Sequence, residues 1–301
     1  MSAPLAGAAV AGAARFEPRL GRRRIYGAIL LGACVASLAI LMLALVLLLV
    51  DVLGKGLPWL DLQFLSGVPS RKPERAGILP ALVGSVQITV LVALFTFPTG
   101  VAAAIWLQEY ARDSRLTRLL RLNISNLAGV PSIIYGIFGL ALFVRALGLG
   151  YSLVAGALTL SLLILPVVIV ATIEALRAVP NSQREGAWAL GATRWQVVRG
   201  AVLPAAAPGI LTGVILAMAR AVGETAPLIL VGAVTFVTFL PTPFEEGYTV
   251  LPIQIFQWAS RPQEGFQAIA AATILVVLAL MLTLNLIAIV LRARFSRNAQ
   301  W

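Results

Sequence analysis

Histidine is absent from this chain of 301 residues, and two other chemically versatile residues are scarce. Without histidine there is no imidazole general base, no histidine-containing catalytic triad and no histidine ligand for a metal ion. The single cysteine, Cys34, excludes an intrachain disulfide. No metal site is predicted from these residues.

Lysine is also rare, since Lys55 and Lys72 are the two in the sequence, and neither lies in a P-loop motif for nucleotide phosphates. The chain is therefore expected to bind no nucleotide or other cofactor and to perform no ATP hydrolysis itself. A membrane-embedded enzyme is disfavoured too, because Glu224 is the single acid deep in an apolar run and has no partner for acid–base catalysis.

Charged residues make up 12% of the chain and hydrophobic residues 60%, whereas soluble domains carry roughly 25% charge. This composition predicts an all-α, polytopic membrane protein rather than a soluble domain. Six apolar stretches are long enough to span a bilayer: about 25–50, 78–107, 127–144, 153–173, 209–237 and 268–291. The third is interrupted by glycine and Pro131. Residues 1–24, a disordered tail, and residues 296–301 flank the transmembrane domain at 25–295.

The net charge of the chain is +11. Its basic residues are distributed by membrane side rather than gathered on one face, so we predict no nucleic-acid partner. With the N-terminus inside, sixteen basic residues fall in inner segments and six in outer ones. The positive-inside rule therefore predicts that both termini are cytoplasmic. Membrane lipid is a further expected partner, because anionic headgroups suit the inner arginines at positions 112, 115, 118 and 121, although contact with a partner protein is an alternative.

The connection at residues 174–204 carries two helix-start patterns, Ser182 with Glu185 and Thr193 with Gln196, each predicting a capping box. Gly191 between them predicts a bend that ends the first of two short helices. Ala187, Trp188 and Leu190 supply an apolar tip. Arg184, Arg194 and Arg199 are expected to lie in water.

The spacing of this segment resembles the cytoplasmic signature of ABC importer permeases. The matching positions are Glu185, Gly186 and Ala187, then Gly191, then Ala201, Leu203 and Pro204, with departures at Gly186 and Ala201 from the family's alanine and isoleucine. The resemblance implies that the segment docks on a separate ATPase subunit, which holds ATP-Mg, and transmits its motion. An ordinary amphipathic loop is the alternative.

Three further stretches resemble the PstA family of phosphate-importer permeases: EYARDSRLTRLLR, GVPSIIYGIFGL and ARAVGETAPLIL. This resemblance covers about residues 25–295 and implies the type I ABC importer permease fold in a bacterial inner membrane. It also implies a related PstC-like permease subunit, two copies of a PstB-like ATPase and a periplasmic or lipid-anchored PstS-like phosphate-binding protein. The sister family PstC and permeases for sulfate or phosphonate remain alternatives. An ATP-independent secondary transporter or channel is a rival class, although we find no paired inverted repeats.

Arg220 lies roughly 17 Å along the predicted fifth span, near mid-membrane. Glu224 follows at i+4 on the same helical face, and Thr225 is next to it. An arginine at that depth is costly, so we predict that Arg220, Glu224 and Thr225 line the path of an anion, with phosphate implied by the resemblance. A structural ion pair that fixes helix packing and an arginine that snorkels to the interface are the alternatives.

Overall fold

The computed structural model describes residues 20–233 and 236–297, so nearly all of the predicted N-terminal tail and most of the C-terminal one lie outside the described residues. Twelve α-helices are present in the described residues. Their bounds are α1 Leu20–Gly56, α2 Leu62–Ser66, α3 Leu79–Ile105, α4 Arg115–Leu127, α5 Ser132–Gly139, α6 Leu153–Arg177, α7 Asn181–Ala189, α8 Arg194–Val197, α9 Leu203–Gly223, α10 Ala226–Leu230, α11 Leu251–Ala259 and α12 Glu264–Arg297.

Three of these helices are extended by a π-helical turn: α3 by Trp106–Tyr110, α5 by Leu140–Ala146 and α8 by Val198–Val202. Five helical runs in the described residues are long and apolar enough to cross a membrane, and the bent pair of α4 with α5 raises the number to six. Residues up to Asp51 form one unit and residues from Val52 a second. In the first unit, α1 exposes its large apolar side chains.

The centre of the second unit is α6, whose most apolar stretch is 72% buried, compared with 6% for α12. It packs against α3, α5 and α9. Its contact with α9 depends on small residues: a Cβ added to Gly209 would lie 2.9 Å from the Cβ of Ala175, and one added to Gly213 would collide with Ala171. Small side chains four residues apart on both helices allow this close approach, which is typical of membrane helices.

The third predicted span is shorter than expected, because α4 and α5 meet at an angle of 103°. Pro131 causes the break, since a proline in a continued helix would clash with the carbonyl of Leu127, where α4 ends. The Leu127 carbonyl instead accepts hydrogen bonds from the Val130 N–H at 3.1 Å and from the Tyr135 hydroxyl at 2.8 Å. The predicted span at 127–144 thus begins at the last residue of α4 and is formed mainly by α5 and its π-helical extension, Ser132–Ala146.

The fifth predicted span also differs, because α9 ends at Gly223 instead of continuing to Val237. Pro227 explains this end, as it has no N–H for the Gly223 carbonyl and would clash with it in a continued helix. Composition alone does not detect the break, because the sequence on both sides stays apolar. Residues 236–250 contain no helix and lead to α11, which buries Leu251 and Trp258 beside α12.

Replacing Gly213 by alanine tests the α6–α9 contact. The added Cβ collides with Ala171, a side chain too short to move aside, so we expect a loss of about 1–3 kcal/mol of stability from overpacking. Thermal unfolding in detergent measures it. The control is Gly54→Ala in α1, where an added Cβ meets no other described atom within 4 Å. Equal unfolding midpoints for both variants would contradict the packing role.

Candidate functional site

The 174–204 segment forms two short helices joined by a bend. Helix α7 ends at Ala189 and α8 begins at Arg194. Gly191 has φ +80° and permits the bend, because this left-handed conformation is strained for residues with a Cβ. The bend predicted at Gly191 is therefore present.

The two predicted capping boxes have different outcomes. Thr193 and Gln196 form one as expected: the Thr193 N–H donates to Gln196 Oε1 at 2.7 Å, and the Gln196 N–H donates to Thr193 Oγ1 at 3.4 Å. The box predicted at Ser182 and Glu185 is wrong, because α7 begins at Asn181 after Pro180 and Ser182 already lies inside the helix. Glu185 is exposed on α7.

The remaining residues of the signature lie on both sides of the bend. A Cβ at Gly186 would meet no other described atom within 4 Å, so packing does not require glycine there. Ala187 is half-buried against a cluster that includes Val179 and Val202, and Leu203 packs against the same cluster. Pro204 is the second residue of α9 and directly follows the π turn Val198–Val202 and Leu203.

Arg184 is buried, in contrast to the prediction that it lies in water, whereas Arg194 and Arg199 are exposed. Its Nη2 donates to Glu109 Oε1 at 2.9 Å, and both side chains are only 10% exposed. Glu109 lies in the π turn that extends α3. Sequence reasoning missed this pair, because 75 residues separate the partners and no spacing rule connects them. The one signal in the sequence was the position of Glu109, an acid at the end of an apolar run.

The second group of residues is at the end of α9. Arg220 lies in the last turn, where the helix dipole favours a cation. Its Nε donates to Glu224 Oε1 at 3.2 Å. Glu224 is the C-cap residue that follows α9 and has an extended ψ of 126°, so the expectation that Arg220 and Glu224 share one continuous helix is wrong. The ion pair forms even so.

Arg220 is also not central in a helical span, because α9 starts earlier than predicted and ends three residues beyond it. The side chain of Arg220 is 48% exposed and that of Glu224 is 16% exposed. Among residues 20–233 and 236–297, the Nη groups of Arg220 have no hydrogen-bond partner. They remain available to an anion. Thr225 is half-buried, and its hydroxyl approaches the Gly223 carbonyl at 3.5 Å.

The surroundings of this pair are built by α5 and α10. A Cβ at Gly136 would lie 2.7 Å from Pro227 Cα, so α5 and α10 approach closely just after the pair. The break after Gly223 leaves Arg220 in the last turn of α9, with both Nη groups unpartnered in the described part of the chain. Such an arrangement offers charge-assisted donors to a bound anion.

Comparison with known proteins places these features in a family. Residues 96–299 match the binding-protein-dependent transport system inner membrane component family. The phosphate transport system permease protein PstA of Haemophilus influenzae is 36% identical over 264 residues, covering 88% of this chain and 93% of the relative. PstA 1 of Mycobacterium tuberculosis is 36% identical over 296 residues, covering 94% of each chain.

A solved structure supports the architecture. The MetNI methionine ABC transporter in an inward-facing conformation aligns with a TM-score of 0.60 and 19% identity, covering 72% of this chain and 95% of that one. At this identity the likeness concerns the fold alone. The predicted all-α, type I ABC importer permease fold is confirmed.

Two alanine substitutions in the 174–204 segment test its geometry. Gly191→Ala is expected to loosen the bend by about 1 kcal/mol, because alanine is strained at this φ. Gly186→Ala is the matched control and is expected to stabilise α7 slightly through helix propensity. Hydrogen exchange of the α7 amides measures both effects. This account would be contradicted if the α7 amides exchanged faster in Gly186→Ala, or if they exchanged at the wild-type rate in Gly191→Ala.

Proposed function

This chain belongs to the family of binding-protein-dependent transport system inner membrane components, and on that premise we propose that it is the permease subunit of an ATP-driven importer of inorganic phosphate. The observation that supports phosphate as the substrate is the 36% identity to PstA proteins over nearly the whole chain. Membership of this family disfavours a secondary transporter or channel. The chain is a multi-pass membrane protein and a transport component.

The end of α9 suits the translocation of phosphate. The two Nη groups of Arg220 offer donors in a planar fork that matches two phosphate oxygens. Glu224 keeps the guanidinium oriented and partly neutralised through the 3.2 Å hydrogen bond. Partial neutralisation limits how tightly the anion is held, so that it can leave. Thr225 adds a hydroxyl beside the same path.

The 174–204 segment suits an interface with an ATPase subunit. Trp188, Leu190 and Trp195 are 50%, 90% and 56% exposed around the bend. Large apolar side chains exposed together on a loop mark a contact surface. ATP-Mg would bind to that partner, since this sequence has no P-loop motif. Glu185, Gly186 and Ala187 belong to the helix that carries this surface.

We further propose the assembly and its orientation. A related PstC-like permease would complete the pathway, two PstB-like ATPase subunits would lie beneath, and a PstS-like binding protein would deliver phosphate from outside. Both termini would be cytoplasmic, because the arginines of α4 and of the 174–204 segment then face the inner leaflet. The exposed apolar faces of α1 and α12 fit contact with lipid or with the partner permease.

Reconstitution in liposomes tests the proposed function. The chain with the related permease, the ATPase and the binding protein is expected to take up radiolabelled phosphate only when ATP is supplied. The chain alone is the control and is expected to move none. Robust phosphate flux through the chain alone, without ATP, would contradict the proposal and favour a channel or secondary transporter.

Neutral substitutions test the charged pair. Arg220→Gln is expected to abolish phosphate uptake, because the attraction is lost and Glu224 is left as an unpaired acid that repels the anion. Glu224→Gln is expected to impair uptake less. Uptake is measured for both single variants and the double variant, with the yield of assembled complex as a control. Recovery of transport in the double variant would instead indicate a structural pair.

A further inference from the structure

The π turn Trp106–Tyr110 at the end of α3 accepts hydrogen bonds from three arginines, each on a different helix. Arg121 of α4 donates to the Leu107 carbonyl at 2.6 Å, and Arg177 of α6 approaches Gln108 Oε1 at 3.4 Å. Arg184 of α7 donates to Glu109 at 2.9 Å. Local π geometry inside an α-helix often marks a functional position. Here it is the point where three helices are joined to α3.

The contact from α7 is more buried than the contact from α6. Arg177 also pairs with Glu174, but those side chains are 45% and 61% exposed and the pair is screened by solvent. Arg184 and Glu109 are each only 10% exposed. A buried ion pair holds its geometry when its hydrogen bonds are complete, and losing either partner leaves a buried charge uncompensated.

The hydrogen bonds of Arg184 are complete, because all five of its N–H groups have an acceptor. Nε and one N–H of Nη2 point to the two oxygens of Glu109, at 3.4 and 2.9 Å. The second N–H of Nη2 reaches the Leu176 carbonyl at 2.8 Å. Nη1 reaches the Val179 carbonyl at 2.7 Å and Asn181 Oδ1 at 3.4 Å.

These acceptors belong to three different parts of the fold. The carbonyls of Leu176 and Val179 lie at the C-terminal end of α6, where helical carbonyls lack intrahelical partners. Asn181 begins α7, and Glu109 ends the extension of α3. A lysine has three donors on one nitrogen and cannot satisfy this set. One guanidinium therefore joins α7 to both α6 and α3.

We propose that Arg184 and Glu109 are positioning residues that transmit movement of α7 directly to α3. The inference rests on the proposed function, in which α7 contacts the ATPase. Chain connectivity alone links α7 to α6 and, through α8, to α9. The ion pair adds α3, which packs against both α6 and α9. Displacement of α7 then moves the cytoplasmic ends of three spans together rather than two.

The test uses the full importer in proteoliposomes and measures phosphate taken up per ATP hydrolysed. Glu109→Gln, which keeps the size of the side chain and removes its charge, is expected to lower this ratio by roughly tenfold, a typical magnitude for coupling between sites. Arg184→Lys is expected to lower it as well. Hydrogen exchange is expected to become faster in α7 and in residues 106–110 together.

The matched control is Asp113→Asn, which also replaces a carboxylate by an amide and removes the exposed ion pair with Arg118. Its partners lie 3.8 Å apart and are 70% and 90% exposed, so no change in the ratio is expected. A wild-type ratio in Glu109→Gln would overturn the inference. A wild-type ratio in Arg184→Lys would also overturn it, because charge without the fork would then suffice. If Glu109→Gln fails to assemble, Glu109→Asp decides in its place: a lowered ratio supports the inference and an unchanged ratio refutes it.

Failure of the proposed function is distinguishable from failure of this inference. If the wild-type importer takes up no phosphate with ATP, the proposed function fails. Hydrogen exchange of the Glu109→Gln variant still tests the link in that case. If α7 loses protection and residues 106–110 do not, α7 and the end of α3 are not joined by this ion pair. If the wild-type importer transports and Glu109→Gln keeps its ratio, the inference alone is wrong.

Discussion

The ion pair between Arg184 and Glu109 is the interaction on which the arrangement of the 174–204 segment depends. Both side chains are withdrawn from solvent, and Arg184 also donates to the carbonyl of Leu176 in the last turn of α6 and to that of Val179 just after it. A charge in such a position is tolerated when every donor is matched. Because the acceptors come from α3, α6 and α7, the orientation of α7 is set by α3 and α6, which pack against each other. The bend at Gly191 and the capping box at Thr193 then direct the exposed apolar tip.

Proline determines the shape of the two irregular spans. Pro131 ends α4 and Pro227 ends α9, in each case four residues after the last helical carbonyl. Backbone groups freed at such breaks must find other partners where water is scarce. At the first break, the Leu127 carbonyl accepts a hydrogen bond from the Tyr135 hydroxyl. At the second break Arg220 is left with two free Nη groups among the described residues, beside the closely packed α5 and α10. A proline therefore ends a helix in both spans, and in the second span that end lies next to the candidate anion site.

The comparison between prediction and structure separates local from non-local features. The Thr193–Gln196 capping box and the bend at Gly191 were predictable, because each depends on residues within one helical turn. The capping box at Ser182 was wrong, because Pro180 shifts the helix start by two residues relative to that pattern. The fifth span was placed too far along the chain, since hydropathy weighs composition and ignores the steric effect of Pro227.

The sequence by itself determined that this is an all-α membrane protein, because apolar length is a property of composition and order. It also determined which residues the signature of the 174–204 segment contains. The tertiary structure decided that Arg184 is buried, that Glu109 is its partner and that Glu224 lies outside the helix of Arg220. The physical reason is range. Helix capping and membrane insertion act within a segment, whereas an ion pair across 75 residues exists only after α3 and α6 have packed.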